Sequence, residues 1–343
     1  MKIYITGFPM AGQRELFSTL CGTPIEKLNQ TPMEIHLGST VVRDPRLDVL
    51  SKMYNPKKTT AVKIDYNLLP DYTTQGGPIT TMIMSNLRNA DVLCWTAGEA
   101  SAIADTSNFI SDLIIADLGL VEKRVETLAK DVNPKTASTR GKEKAVLDIC
   151  KKTLDEGKLL SSLKFDDEQA RVLVNYQLLT RTPVLVIVNT EKDETAINTV
   201  ITQLSTLYPS VTFIPMNVKL EQEISGLDPE DRGTFMKELG VTEPAVDKMT
   251  RLTYAKLGLI QFFTVGPDEV RAWAIPKGAL APVAGRTIHS DIEKGFVRAE
   301  MMKYAELIEA KTEQVLKDSG KFYVKGRDYV VEDGDILNFL FNV

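Results

Sequence analysis

Gly7 and Gly12 stand at the spacing of G-x-x-x-x-G, directly after the apolar run KIYITG. In the full pattern, G-x-x-x-x-G-K-[ST], backbone N–H groups cradle phosphates, the Lys reaches the β- and γ-phosphates, and the hydroxyl holds Mg²⁺. Here Gln13 and Arg14 occupy those last two positions. The candidate binding loop therefore comprises Gly7, Met10, Ala11, Gly12, Gln13, Arg14 and Glu15. It retains the cradle while lacking the side chains that do the electrostatic work. Arg14 brings positive charge but cannot coordinate a cation, and its bulk falls where a small hydroxyl belongs.

Such a loop needs a strand before it and a helix after it, and the chain supplies both. Apolar runs alternate with helical patterns up to about Asp105: KIYITG, Glu15–Cys21, VKIDYNLL, Thr80–Arg88 and DVLCWTAG. This alternation predicts βαβ units around a parallel sheet. A second set follows Thr180 with PVLVIVNT, a helix near Thr195–Tyr208, and VTFIPMN. Between the sets, Ile110, Ile114, Leu118, Val121, Val125 and Leu128 recur at helical spacing. They predict one apolar face of a long helix. Asn133-Pro134 breaks the pattern, and a second helix is expected from about Gly141 to Leu154, closing an αα-hairpin. Lys130, Lys135, Arg140, Lys142, Lys144, Lys151 and Lys152 lie around its tip, facing Asp131, Glu143 and Asp148. This is a solvated helix face or a phosphate-contacting surface. From Leu259 onward the runs LIQFFTVG, EVRAWAIP, KFYVKG, RDYVVE and ILNFLFNV, with one helix over about Asp291–Glu309, predict an α+β module with a mixed sheet.

Composition narrows the classes. A net charge of −5 argues against a globally basic nucleic-acid protein. Three dispersed cysteines, Cys21, Cys94 and Cys150, indicate neither a disulfide framework nor a thiolate metal site. No signal-peptide pattern and no apolar stretch of spanning length is visible, so a soluble, cytoplasmic protein with no membrane partner is expected. Trp95 and Trp273 sit in strand patterns as packing residues, and Asp166, Asp167 and Glu168 suit a helix N-terminus.

The string GLIQFFTVGPDEVRAWAIPKGALAPVAGRTIHSDIEKGFVRAEMMKYAELIEA, with the later YVVEDGDILNFLFNV, closely resembles the TGS domain of YchF-type GTPases, the Obg-related group. The resemblance extends in order through GLDPEDRGTFMKELGV, QLLTRTPVLVIVN, LIIADLGLVEKRVETLAK and DPRLDVLSKMYNPKK to the N-terminal loop. It implies an α/β fold: a Ras-like P-loop domain (1–105 plus 180–258), an inserted helical coiled-coil arm (106–179) and an α+β TGS domain (259–343). It also implies contact with RNA or the ribosome, which on this chain falls on Lys142, Lys144, Lys151, Lys152 and His289, and leaves room for protein partners.

The departures from the family pattern are concentrated in the chemistry. Family members carry G-x-P-N-x-G-K-S, against Gln13 and Arg14 here. Their D-x-x-G, which organises Mg²⁺ and senses the γ-phosphate, falls on Leu68-Leu69-Pro70-Asp71. Asp71 or Asp65 would replace the carboxylate only with a shifted backbone. The adenine-favouring N-x-x-E becomes Asn189-Thr190-Glu191-Lys192, with Glu191 or Asp193 as shifted acceptors, and the Ser-Ala pair behind the base becomes Asn217-Val218. The family's hydrolytic histidine has no counterpart in Thr96–Ser107; the chain has only His36 and His289. Three readings follow. The first is a non-hydrolysing regulatory or ribosome-associated module with no catalytic residues, weak ATP or GTP binding and little use of Mg²⁺. The second is a nucleotide-binding switch without efficient turnover, and the third an active ATPase or GTPase with relocated groups.

Overall fold

The computed structural model describes residues 1–73, 78–130, 137–191, 197–241 and 243–342. The chain divides into two compact units, Met1–Thr40 with Asp65–Val246, and Val41–Ile64 with Asp247–Val343. The first holds a six-stranded sheet in the order β2-β4-β1-β5-β6-β7, from β1 (Lys2–Gly7), β2 (His36–Val41), β4 (Lys63–Leu68), β5 (Val92–Gly98), β6 (Val184–Asn189) and β7 (Thr212–Met216). The pairs β1/β4, β1/β5, β5/β6 and β6/β7 are parallel. β5 and β6 are buried along nearly their whole length, which is why their sequences are continuous apolar runs rather than alternating ones.

The insertion between β5 and β6 begins as a 29-residue helix, Ala102–Lys130, that pairs with a second helix, Ala137–Asp155. Ile110, Ile114, Val121 and Leu128 are buried, and Leu118 and Val125 pack against the same core. The spacing read from the sequence thus marks the packed face. The expected break at Asn133-Pro134 lies outside the described residues, as do Asp131 and Lys135. One apolar core runs from under the sheet into the hairpin, through Trp95, Phe109, Leu113, Val121 and Leu147. Asp117, fully buried on the first helix, accepts from the N–H and hydroxyl of Thr180, both at 2.8 Å, and from Arg88 Nη1 at 3.1 Å. That knot ties the hairpin to the chain just before β6. Asp166 caps the helix Asp167–Leu173 in a reciprocal box with Gln169.

The second unit has a mixed six-stranded sheet, β11-β10-β12-β8-β9-β3, built from β3 (Lys58–Thr60), β8 (Leu259–Thr264), β9 (Glu269–Pro276), β10 (Phe296–Lys303), β11 (Tyr323–Lys325) and β12 (Asp335–Phe341). The segment between β2 and β4 supplies β3, which runs parallel to β9, and the helix Pro45–Tyr54, whose Leu47 and Leu50 enter this unit's core.

Two expectations fail in this unit. The single helix over Asp291–Glu309 is instead a short helix Ser290–Lys294, the strand β10, and a helix Tyr304–Ala310. FVRAEMMK is rich in helix formers, but pairing with β11 and β12 and burial of Phe296, Ala299, Met301 and Met302 override propensity. Gly295, between the short helix and β10, must be glycine because a side chain there would strike the carbonyl of Asn342. RDYVVE forms no strand; its backbone meets the segment 279–281 in an isolated bridge from Val330 to Leu280, with Ala281 N–H on Tyr329 O and Val331 N–H on Ala279 O.

Candidate functional site

Parallel strands deliver their following loops to one edge of a sheet, where α/β folds bind ligands. The loop after β1 leads into the helix Gln13–Cys21. Met10 (φ 65°) and Gly12 (φ 95°) adopt left-handed backbone, and the N–H of Ala11 bonds to the carbonyl of Phe8 at 3.1 Å. Gly12 caps the helix with no side-chain acceptor, so the first-turn donors face an acceptor from elsewhere. Glycine is also required by proximity. A Cβ on Gly7 would lie 2.1 Å from Thr96 Oγ1, and one on Gly12 would lie 2.5 Å from Asn189 Nδ2. Ala11 is buried, Met10 fully exposed, and Glu15 sits in the first turn of the helix, where its charge suits the dipole.

Asn189 does the work of holding loops together. Its amide packs on Gly12, and its Oδ1 accepts the N–H of Val218 at 3.2 Å. Asn217 caps the helix Val218–Gly226 by accepting the N–H of Leu220. Thr190 donates to Glu99 Oε2 at 2.8 Å, joining the ends of β5 and β6. Gly12, Asn189, Asn217 and Val218 are therefore brought together. Lys192, with Asp193, lies outside the described residues, and Glu191 is exposed.

The most informative contact was not among the candidates. Asp71, in the segment after β4, takes Gln13 Nε2 on Oδ1 at 2.5 Å and Arg14 Nη2 on Oδ2 at 2.8 Å. Gln13 is 1% exposed, and its Oε1 receives the Thr96 hydroxyl at 3.4 Å. A signal was present in the sequence: two changed positions in one motif carry the donors Gln13 and Arg14, and a glycine position in another carries the acceptor Asp71. The Asp71 segment is pinned on both sides. Leu69 N–H bonds to Ile5 O at 2.9 Å, Tyr72 N–H to Gly7 O at 2.8 Å, and the Thr6 hydroxyl to Pro70 O at 3.3 Å. The buried Tyr72 ring meets Phe8, Trp95 and Phe109 edge-on, at 5.3–5.7 Å between centroids. Its hydroxyl donates to Asp112 at 2.7 Å, and burial followed by that bond pushes the phenol far above its ordinary range.

Divalent-cation chemistry does not fit these residues. Arg14 and the buried Leu68 stand where a hydroxyl and an organising carboxylate belong, and neither offers an oxygen ligand. Asp65 is no substitute, because it pairs with Lys2 at the opposite end of β1. His289 belongs to the second unit, where its Nδ1 accepts the Asp291 N–H and caps a short helix.

The lysines of the helical hairpin are less free than the sequence suggests. Lys142 pairs with Glu168 at 2.6 Å, Lys144 with Asp148 at 2.6 Å, and Lys151 with Glu122 at 2.7 Å and Asp155 at 3.1 Å. Lys152 makes no ion pair among the described residues. Glu122, Asp155 and Glu168 are not among the acids read around the tip from the sequence. These pairs are exposed, so each holds its lysine only weakly.

The fold recurs in known proteins. The YchF-GTPase C-terminal family model, described as a protein of unknown function (DUF933), matches residues 259–342. The protein named ribosome-binding ATPase YchF is 31% identical in Haemophilus influenzae and 32% in Escherichia coli O157:H7, each alignment covering 100% of this chain and 99% of the relative. Its Bacillus subtilis namesake is 30% identical over 99% of this chain and 98% of its own. The solved YchF GTPase of Schizosaccharomyces pombe superposes with a TM-score of 0.83 at 27% identity, covering 99% of this chain and 97% of that one. Full-length similarity at this level, together with the shared α/β fold carrying a helical insert and a β-rich C-terminal part, makes the chain a member of the YchF family.

Proposed function

We propose that this chain is a YchF-family module with little or no nucleotide hydrolysis, acting through association with the ribosome or RNA in the cytoplasm. The helical arm (106–179) and the TGS-type C-terminal domain (259–343) are its contact surfaces, with Lys142, Lys144, Lys151, Lys152 and His289 as candidate contacts. The names of the bacterial relatives support the ribosomal part. The observation that carries the loss of turnover is Asp71 binding both Gln13 and Arg14. Phosphoryl transfer depends on positioning and on charge stabilisation of the γ-phosphate. In this loop the donors face inward to a carboxylate, and Leu68 offers nothing to a metal.

A second reading, a switch that binds ATP or GTP without efficient turnover, is favoured by the retained backbone of the loop and by Asn189 bridging Gly12 and Val218. Calorimetric titration with ATP, GTP and their diphosphates, with and without Mg²⁺, combined with single-turnover hydrolysis, separates the two. The non-hydrolysing module gives weak binding, a Mg²⁺ effect below about threefold, or roughly 0.65 kcal/mol, and no turnover. Hydrolysis at the rate of an intact family ATPase refutes it.

A further inference from the structure

We infer that Asp71 is an intramolecular occupant of the phosphate loop, an internal anion that excludes phosphate groups from it. The inference rests on the loop being of nucleotide type. It adds what fills it. The two side chains at the start of the helix Gln13–Cys21 stand where the pattern places its phosphate and metal contacts, and both donate to one carboxylate. Each Asp71 oxygen has its own donor, as the oxygens of a bound anion would. The pair is shielded, with the Arg14 and Asp71 side chains 20% and 26% exposed, so solvent and salt compete poorly for it.

Incoming phosphate meets two obstacles. The carboxylate repels it, and Gln13 and Arg14 are already engaged. The backbone that carries Asp71 is held beside the loop. It is stitched to β1 by Leu69 and Tyr72, and the Tyr72 ring is held by Phe8, Trp95, Phe109 and Asp112. To displace the carboxylate, a ligand must break its bonds to both Gln13 and Arg14. Removing the carboxylate should free both donors and leave the loop backbone as it stands.

The test uses the full chain and two probes without Mg²⁺, inorganic tripolyphosphate and ATP, with affinities measured by calorimetry. Asp71→Ala is expected to bind tripolyphosphate at least tenfold more tightly than the parent, a difference of about 1.4 kcal/mol. Asp71→Asn, which keeps the size and one acceptor, gains severalfold and carries the test if the alanine variant melts early. Adding Arg14→Ala to Asp71→Ala removes part of the gain, the remainder coming from the lost repulsion and the freed Gln13. Equal affinities for the parent and Asp71→Asn in folded protein overturn the inference, and so does a gain that loss of Arg14 leaves undiminished. Single-turnover hydrolysis is read in parallel. Rapid turnover by the parent defeats the proposed function while the affinity ratio still decides the role of Asp71.

Discussion

Replacing Asp117 with alanine should unfold the first unit well before the second. Asp117 is fully buried, and its Oδ2 alone accepts both the N–H and the hydroxyl of Thr180, which is itself fully buried. Alanine leaves that N–H and hydroxyl without their acceptor in the core, at about 1–3 kcal/mol for each orphaned group. Arg88 loses its ion pair but keeps the carbonyl of Gln177 at 2.9 Å and is 21% exposed, so it partly rehydrates. Breaking a buried pair from one side costs about 3–5 kcal/mol. At about 2–4 °C per kcal/mol for a unit of 150–250 residues, the first transition should fall by roughly 6–20 °C. Scanning calorimetry is the appropriate assay, because two units need not melt together. Asp117→Asn, which preserves volume and one acceptor, should lose less than half as much. A drop below about 2 °C for the alanine variant would mean that Thr180 finds other partners and that the knot does not hold the insertion to the sheet.

The triple change Gln13→Lys, Arg14→Ser and Asp71→Ala should strengthen ATP binding in calorimetry and leave single-turnover hydrolysis at background, since Leu68 stays in place; turnover at the rate of intact relatives would contradict it. Glutamate at Lys142, Lys144, Lys151 and Lys152 should reduce co-sedimentation with ribosomes, and the parent's binding should fall steeply with salt as phosphate neutralisation releases counterions. Unchanged sedimentation would remove the arm from the interface. Burial pushes the thiols of Cys21 and Cys94 up to about 12 and that of Cys150 to about 11, from an ordinary 9.0, so a disulfide reagent at pH 8 should label them only after denaturation. The same shifts fix a pH dependence. Above pH 9 the unfolded thiols lose protons that the folded ones keep, so their contribution to stability is complete below pH 9 and is lost between about 9 and 12, as urea titrations across that range will show.

How much of this was readable depended on whether one segment carried its own explanation. β1, β5 and β6 did, because a strand buried on both faces is apolar throughout. The insertion did too, since Ile110, Ile114, Val121 and Leu128 repeat at the helical period. FVRAEMMK did not: its residues favour a helix, and only pairing with β11 and β12 makes it a strand. The site divides in the same way. The loop and its bridging Asn189 were visible as motifs. Asp71 was visible as a departure, but its partnership with Gln13 and Arg14 joins residues far apart in the chain. The pairing of Lys142 with Glu168 and of Lys151 with Glu122 was hidden for the same reason, since a count of nearby charges ignores acids on neighbouring helices.

The excursion of residues 41–64 has a consequence for synthesis. This stretch is made early, yet its strand β3 pairs with β9, and Leu47 and Leu50 belong to a core whose other members include Phe263, Val270 and Ile336. At about 5–20 residues per second, roughly ten to forty seconds separate it from the chain it needs. Through that interval the nascent protein carries an unsatisfied strand and two large apolar side chains, while the strands on either side of the excursion are ready to enter the first sheet. Residues 259–343 expressed alone would lack that edge strand and two of the core's side chains. A fragment that adds 41–64 in trans should bind them.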